Sequence, residues 1–523
     1  MNAKKGATMK RIITAILAIT LCLSIFAGCG NDEPKEETPA AALSVGYGKV
    51  DVTPTKSIPL DGYAGDDAAK FRWSTSVEWP FYAICTAFTD AQDNTILIVT
   101  LDMLNAFMAD AMRSAVSENT GVPKERIMFH CTHNHSGPAL REPDPVVTDY
   151  LTQLVDGVIN AAKAAMEDRK PAQVYTTFAR PEGCNTVRHY LIADGSYRAR
   201  AIGEVNRNEI IGHYGQADNL LQLVKFTREG GKDVVMVNWQ GHPPGTEPNT
   251  IATSNYPGVL RSYLENNLDC EAMFILGGSG NLNNNSVIAG EVRHNNYQEL
   301  GQNLGAAAVE AAANFAPLDI GSILFSEQEV TLSTSGGGSK KAMLSAFSFG
   351  DFAMVAVPFE IFDTNAMAVR EGSDYKMTFY SSCTNGSNQY LATPPSFDWV
   401  PYSYEASGSG WAKGSAEIVE QTLSGMLDQL FTQRGGEPTE KPAGYVRDPF
   451  VPQNDGVTYT VPDPGAGDIC IPVQNGFYSF GLYKNNTVKK MLSKDPELIG
   501  QIFKQKEVKL LFDEQNVVVG IAE

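Results

Sequence analysis

The sequence predicts an α/β protein with a mixed-sheet core and helices, its candidate site at the carboxyl ends of strands, and a small α+β appendage at the C-terminus. Three observations carry this expectation. Short runs of apolar and β-branched residues recur along the chain, and several of them empty into loops bearing His, Glu, Asn or Tyr. Segments of helical period lie among these runs, the pattern that places helices on a sheet. About 480 residues follow an N-terminal leader, which suits one large domain with an appendage better than one small core.

The elements follow in order. Residues 1–29 read as a secretory leader: Lys4, Lys5, Lys10 and Arg11, then an apolar run, then Phe26-Ala27-Gly28-Cys29. Small residues before a cysteine are the pattern of a bacterial lipoprotein signal, with Cys29 as the lipidated position. The apolar run is short for a membrane span of about 20 residues. Residues 30–43, rich in Glu, Pro and Ala, read as a flexible tether. The core domain is expected over 44–432. It opens with an alternating strand over 43–53 that stops at Pro54. Asp61-Gly62-Tyr63-Ala64-Gly65 is a loop. Strands are expected over 81–89 and 95–101, joined by a turn at 90–94. A helix over 150–166 precedes strands over 174–178, 220–226, 234–239, 272–276, 352–357 and 376–381, with a further helix over 361–370. Residues 433–467, rich in Pro, Gly and Asp, read as a linker. The appendage, 468–523, is expected to hold a helical stretch near 486–503 and a hairpin pairing 508–512 with 517–521.

The formal charge is −19, and removing the leader's four basic residues takes it to −23. That balance excludes nucleic acid as a partner and electrostatic docking on anionic lipid. Six cysteines follow Cys22 and Cys29, at 85, 131, 184, 270, 383 and 470, without a CxxC spacing. They read as mostly buried thiols, neither a disulfide framework nor a cysteine-zinc site.

Three of the seven histidines fall in Phe129-His130-Cys131-Thr132-His133-Asn134-His135-Ser136-Gly137-Pro138, where an apolar run breaks at Gly-Pro. In an extended segment residues i and i+2 point the same way, so His133 and His135 could reach one spot. Imidazole suits zinc near neutral pH, although a bare HxH also fits a polar loop with satisfied histidines. The pattern repeats: residues 234–239 lead to Gly241-His242-Pro243, and 352–357 lead to Pro358-Phe359-Glu360. Residues 376–381 lead to Thr384-Asn385-Gly386-Ser387-Asn388-Gln389-Tyr390. Ligands of open α/β sheets gather outside strand carboxyl ends, so this common placement favours a metal site. Glu360 could instead complement a helix dipole, and Tyr390 could be a core or loop tyrosine. His130, His189, His213 and His294 read as structural or surface residues.

The Thr132–Pro138 segment resembles the THTHSGP motif of the neutral/alkaline non-lysosomal ceramidases. In the same order, Gly46-Tyr47-Gly48-Lys49-Val50-Asp51-Val52-Thr53, Arg188-His189-Tyr190 with Asp194-Gly195, Gly241-His242-Pro243, Val357-Pro358-Phe359-Glu360, Asn385 to Thr393 and Tyr404-Glu405 are similar to that family's motifs. The resemblance covers roughly residues 44–430. It implies one zinc per chain, held by His133, His242, Glu360 and Tyr390. It implies that His135 and Tyr404 hold the substrate's carbonyl oxygen, and that Arg188 lies in the active site. The implied reaction is cleavage of the N-acyl amide of ceramide or a ceramide-like lipid by zinc-activated water. Asn283 stands where the family's glycine-rich loop has a serine, and the appendage is smaller than the family's C-terminal domain. An ester, a small N-acyl compound or a cell-wall amide is therefore also open as substrate. A surface solute-binding lipoprotein would share the leader and the acidic body, but would not need these ligands on separate strand ends.

Overall fold

The computed structural model describes residues 43–63, 71–199, 207–243, 249–288, 291, 294, 296–399, 403–463 and 470–523. The expected leader, Cys29 and all but the last residue of the tether lie outside the described residues.

The main sheet contains strands β1 (Leu43–Asp51), β2 (Tyr82–Asp90), β3 (Thr95–Leu101), β4 (Ile127–Cys131), β5 (Lys170–Ala179), β6 (Leu221–Arg228), β7 (Asp233–Trp239), β8 (Cys270–Leu276) and β9 (Ala316–Leu318). Its order is β8-β7-β6-β5-β1-β2-β3-β4, with β9 also paired to β5. The sheet is mixed: β3/β4 and β7/β8 are parallel, and the other pairs are antiparallel. A second sheet follows the order β10 (Ile323–Ser333), β11 (Ser339–Phe349), β12 (Phe352–Ala356), β13 (Met377–Ser381), with β12/β13 parallel.

Period-2 alternation distributes the side chains of each strand to two cores. Ile84 and Phe88 of β2, Val224 and Phe226 of β6, and Met236 of β7 meet Phe347, Phe349, Phe352 and Phe379 of the second sheet. The intervening Ala83, Cys85 and Ala87 face helices α1 (Ala109–Thr120) and α2 (Pro145–Glu167). Val235, Val237 and Trp239 face α3 (Asn255–Leu268) and α4 (Tyr297–Ala311). The outer face of the second sheet packs on α5 (Asp363–Gly372) and, beyond the short α6 (Tyr404–Gly408), on α7 (Ser415–Arg434). The result is two face-to-face sheets with helices on both outer faces. Five of the six described cysteines are buried and all are free, as expected.

Helix α2 begins where Asp144 accepts from the Val146 N–H and Pro145 occupies the first turn. It lies against β1 because Gly46 and Gly48 carry no side chain there. A Cβ would come within 1.8 Å of the Ala165 carbonyl oxygen at the first and 2.0 Å of the Ala161 oxygen at the second.

Strands β4 and β8 are opposite edges of the main sheet, yet their carboxyl ends meet. The Leu276 N–H of β8 donates to His130 Nε2 of β4 at 3.0 Å. His130 Nδ1 therefore carries the ring proton and donates it to Thr100 Oγ1 at 2.7 Å. Burial pushes His130 down to about 3, so it stays neutral. The end of β13 fills the seam: Cys131 N–H donates to Cys383 O at 3.2 Å, and Ser382 N–H to Leu276 O at 2.9 Å.

The segment expected as a linker runs along the main unit, where Tyr445 is buried in the inter-sheet core and its hydroxyl accepts from Gln222 Nε2 at 2.6 Å; residues 464–467 lie outside the described residues. The helix expected near 486–503 is corrected. Residues Tyr478–Lys484 and Thr487–Ser493 form a hairpin, and only Pro496–Ile502 is helical. Asn485 and Asn486 both take left-handed backbone, φ 50° and 62°, which makes a two-residue hairpin turn that reverses the chain. The expected final hairpin is present as Leu510–Phe512 paired with Val518–Ile521.

His130→Ala should destabilise the fold by roughly 3 kcal/mol or more, because it leaves the Leu276 N–H buried without an acceptor and opens a cavity. Urea unfolding measures this. A loss below about 1 kcal/mol would mean that the imidazole does not hold the seam.

Candidate metal centre

The HxH segment is not an extended strand. His133 has left-handed backbone, φ 61°, a conformation that costs a non-glycine residue of order 1–3 kcal/mol unless its surroundings hold it. The flanking residues do so: Thr132 N–H donates to Leu101 O and Asn134 N–H to Met103 O, both at 3.0 Å. The Asn134 amide adds bonds to Asp102 O (3.2 Å) and Thr253 O (2.6 Å), and its Oδ1 accepts from Ser136 N–H at 2.9 Å. Below it, Arg261 grips Asp102 through two bonds of 2.8 and 2.7 Å. The two rings therefore converge through this fixed kink, not through strand alternation as expected.

His133 Nδ1 donates to Leu104 O at 2.8 Å, which turns its Nε2 to the centre. His135 is held from the opposite side by the expected Asp61–Tyr63 loop. Its Nδ1 lies 3.2 Å from Gly62 O, and Arg72 donates to the His135 carbonyl at 3.1 Å. Gly62 has φ 96°, and a Cβ there would lie 2.7 Å from both Cα and Nδ1 of His135, so the position accepts only glycine. His242 follows β7, and its carbonyl accepts from the Asn284 amide.

These three imidazoles form one group whose ligand atoms all lie within 4.8 Å of one another. His135 Nε2 is 3.2 Å from His133 Nε2 and 2.9 Å from His242 Nε2. Glu360 joins them with Oε2 3.0 Å from His133 Nε2. That oxygen is buried and accepts no hydrogen bond. Nitrogen lone pairs and a carboxylate oxygen aimed at one point are the donor set of a cation site such as zinc. Burial and the neighbouring His133 lower the affinity of His135 and His242 for protons. Burial also acts to lower His133, but the Glu360 carboxylate and Cys383 together outweigh it and raise the net value.

Glu360 is placed by a short parallel pairing, Glu360–Ile361 with Tyr390–Leu391, which sets Tyr390 directly beside it. Tyr390 is buried, and burial followed by the Glu360 charge holds its hydroxyl protonated. Tyr404 starts α6, is 46% exposed, and has its ring 5.6 Å from that of Tyr390. Arg188 lies over both rings, at 5.5 and 5.9 Å. The seven residues singled out from the sequence thus fall in one region: three imidazoles with Glu360 at the centre, and Tyr390, Arg188 and Tyr404 in succession beside it.

The Tyr404-Glu405 motif assigned Glu405 no role of its own. Fully buried, it accepts from Arg188 Nε at 2.7 Å and pairs with His189 Nε2 at 2.9 Å, while Arg188 Nη2 reaches Gly280 O at 2.6 Å. Burial alone would raise the Glu405 carboxyl; His189 and Arg188 reverse this and hold it at about 2. Its signal in the sequence is its place one residue after Tyr404. The remaining histidines sit outside the cluster, His213 bonded to Val187 O and Glu291, and His294 to Gly183 O. Asn283, in a short strand beside Thr186, accepts from Asn284 N–H at 2.9 Å through Oδ1.

No family model matches the sequence, and no curated protein matches it. Solved structures share the fold, two of them ceramidases. One, described as "Ceramidase complexed with C2", has a TM-score of 0.60 at 13% identity, over 86% of this chain and 92% of its own. The other, a neutral ceramidase from Pseudomonas aeruginosa, has a TM-score of 0.60 at 14% identity over the same shares. The chain therefore has the fold of these ceramidases, as the sequence motifs led us to expect.

Glu405 gives a pH test. Its folded value of about 2 lies below the unfolded value of about 4.3, so its contribution to stability is present above that unfolded value and is lost as pH falls towards 2. Glu405→Gln should therefore unfold with a shallower loss of stability than wild type between pH 5 and pH 3, values chosen to span roughly that window. Parallel slopes in urea unfolding would refute the assignment.

Proposed function

We propose that the chain is a zinc-dependent amidohydrolase that cleaves the N-acyl amide bond of ceramide or a ceramide-like N-acyl lipid with a zinc-activated water. The observation that carries this reading is the convergence of His133, His135, His242 and Glu360 on one point, in a fold shared with ceramidases. One zinc per chain would be held by His133, His242, Glu360 and Tyr390. Bound there, it supplies Lewis acidity and lowers the pKa of a coordinated water to about 7.

The chain's own groups then divide the work. His133 is kept in the ligating tautomer by Leu104 O. His135 would offer a proton to the carbonyl oxygen from Nε2, which requires its ring proton to leave Nδ1 and the 3.2 Å bond to Gly62 O. The Tyr404 hydroxyl is the second donor, within reach of solvent for a substrate to approach. Two such donors matter because negative charge builds on that oxygen as water attacks, at about 3–4 kcal/mol per donor. Arg188 is locked by Glu405 and Gly280; it fixes the Tyr390–Tyr404 pair and keeps positive charge near the developing oxyanion. Asn283 has no hydroxyl to acylate, so water attacks the amide directly. Its Oδ1 is engaged by Asn284, which leaves the amide hydrogens for a substrate oxygen.

The test couples metal and turnover. Purified protein should hold one zinc by elemental analysis and hydrolyse ceramide or another N-acyl amide. The His133→Ala, His242→Ala double variant should lose both. His135→Ala and Tyr404→Phe should each lower turnover roughly 100-fold, whereas Asn283→Ala should reduce it without abolishing it. Full zinc occupancy in the double variant, an acyl-enzyme seen by mass spectrometry, or cleavage of esters alone would overturn the reading.

The leader motivates a second proposal: attachment through lipidated Cys29 on the outer face of a bacterial cell membrane, since two acyl chains give stable anchorage. Cys29→Ala should move the protein from the membrane fraction to the soluble one. Unchanged fractionation would refute it.

A further inference from the structure

A cavity of about 160 Å³ adjoins the metal centre on the side of His133 and Glu360. It has room for a small polar group. Beyond the centre itself its polar wall includes Arg141, Ser387, Asn388 and Gln389. Among the described residues, the side chains of Ser387, Asn388 and Gln389 make no hydrogen bond. Three residues of the loop behind them are left-handed without being glycine: Cys383 (φ 49°), Asn385 (φ 60°) and Gln389 (φ 65°). Strain of this kind persists where the surroundings hold a loop in one shape. Here, Asn385 N–H is bound to Phe129 O and Asn388 N–H to Pro358 O.

Among the described residues, Arg141 is the only Lys or Arg in the cavity wall. One long contact, 3.4 Å, ties its Nη2 to Asp61, and its guanidinium lies 5.5 Å over the Phe107 ring. Those contacts orient the group but use one of its five N–H donors. The acidic groups facing it are Asp61, which it already meets, and Glu360, whose charge a bound divalent cation would offset.

Building on the amidohydrolase reading, we infer that this cavity is a subsite for a carboxylate carried by the substrate within a few bonds of the scissile amide, with Arg141 as the specificity-determining residue. The carboxylate would bond the free guanidinium edge, and Ser387 with the Asn388 and Gln389 amides would complete its shell. Within the amide class of that reading, the subsite would favour N-acyl amino acids, with the carboxylate on the amine, or mono-amides of a diacid, with the carboxylate on the acyl group, over ceramide, which carries none.

The test uses the full zinc-loaded protein and four probes: N-hexanoylglycine against N-hexanoylethanolamine, and N-butylsuccinamate against N-butylhexanamide. Wild type should favour one carboxylate probe over its neutral partner by roughly tenfold in kcat/KM, expressed in KM; the pair that shows the preference tells which side of the amide bears the charge. Arg141→Gln should collapse that ratio, and Arg141→Lys should restore part of it. No preference in wild type, or equal losses on all four probes in Arg141→Gln, would overturn the subsite and leave the hydrolase reading standing. If no probe is cleaved, ceramide hydrolysis alone decides the hydrolase reading. Calorimetric binding of N-hexanoylglycine then decides the subsite: weaker binding by Arg141→Gln supports it, and unchanged binding overturns it.

Discussion

The structure depends on the seam where the two edges of the main sheet come together. An open sheet of this size would leave β4 and β8 far apart, each with unpaired backbone groups. Here the neutral His130 ring accepts the Leu276 N–H, and the end of β13 supplies partners for Cys131 and Leu276. Sheet twist brings the edges near each other, and the buried ring fixes their register. Because the seam lies at the carboxyl ends, the loops after β4, β7, β8, β12 and β13 are crowded into one place. The metal centre is a product of that crowding.

Buried ion pairs ring this region. Arg261 meets Asp102 under the HxH kink, Arg188 meets Glu405 beside Tyr390, and Arg370 meets Asp218 beneath Gln240. Removing such charges from water costs several kcal/mol per ion, so pairs like these add little net stability. Their geometry is directional, however, and each joins segments distant in sequence. They resist any slip of one loop against another, which suits a site whose donors must hold position to within a fraction of an ångström.

Much of the fold could be read from the sequence because buried strands declare themselves as apolar runs, and the final hairpin and α2 had clear patterns. The long β10–β11 hairpin around Ser335-Gly336-Gly337-Gly338 was missed: its outer residues alternate only weakly, since β10 is half exposed. Helices α1, α3, α4 and α7 were missed too, as their buried stripes are interrupted by polar or small residues. At the site, His133, His242, Glu360 and Tyr390 each lie after an apolar run, but only the ceramidase resemblance marked them as ligands. Asn134, Gly62 and Glu405 carried no such mark. Their importance lies in a kink, a close approach and a buried charge pair, each made by partners far away in the chain. His133 illustrates the limit: its presence at the site was legible, but its left-handed backbone was not, because only the contacts to Leu101 and Met103 impose it.

The spacing of the ligands governs when the site can exist. His135 and His242 lie 107 residues apart, and Glu360 follows β12 of the second sheet. Contacts of such long range carry loop-closure entropy that must be met before they reward the chain. A partly folded molecule can present at most the His133–His135 pair, a weak bidentate trap for a cation. Tight capture therefore belongs to the final docking of the two sheets, and an ion held there draws the folding equilibrium towards the completed molecule.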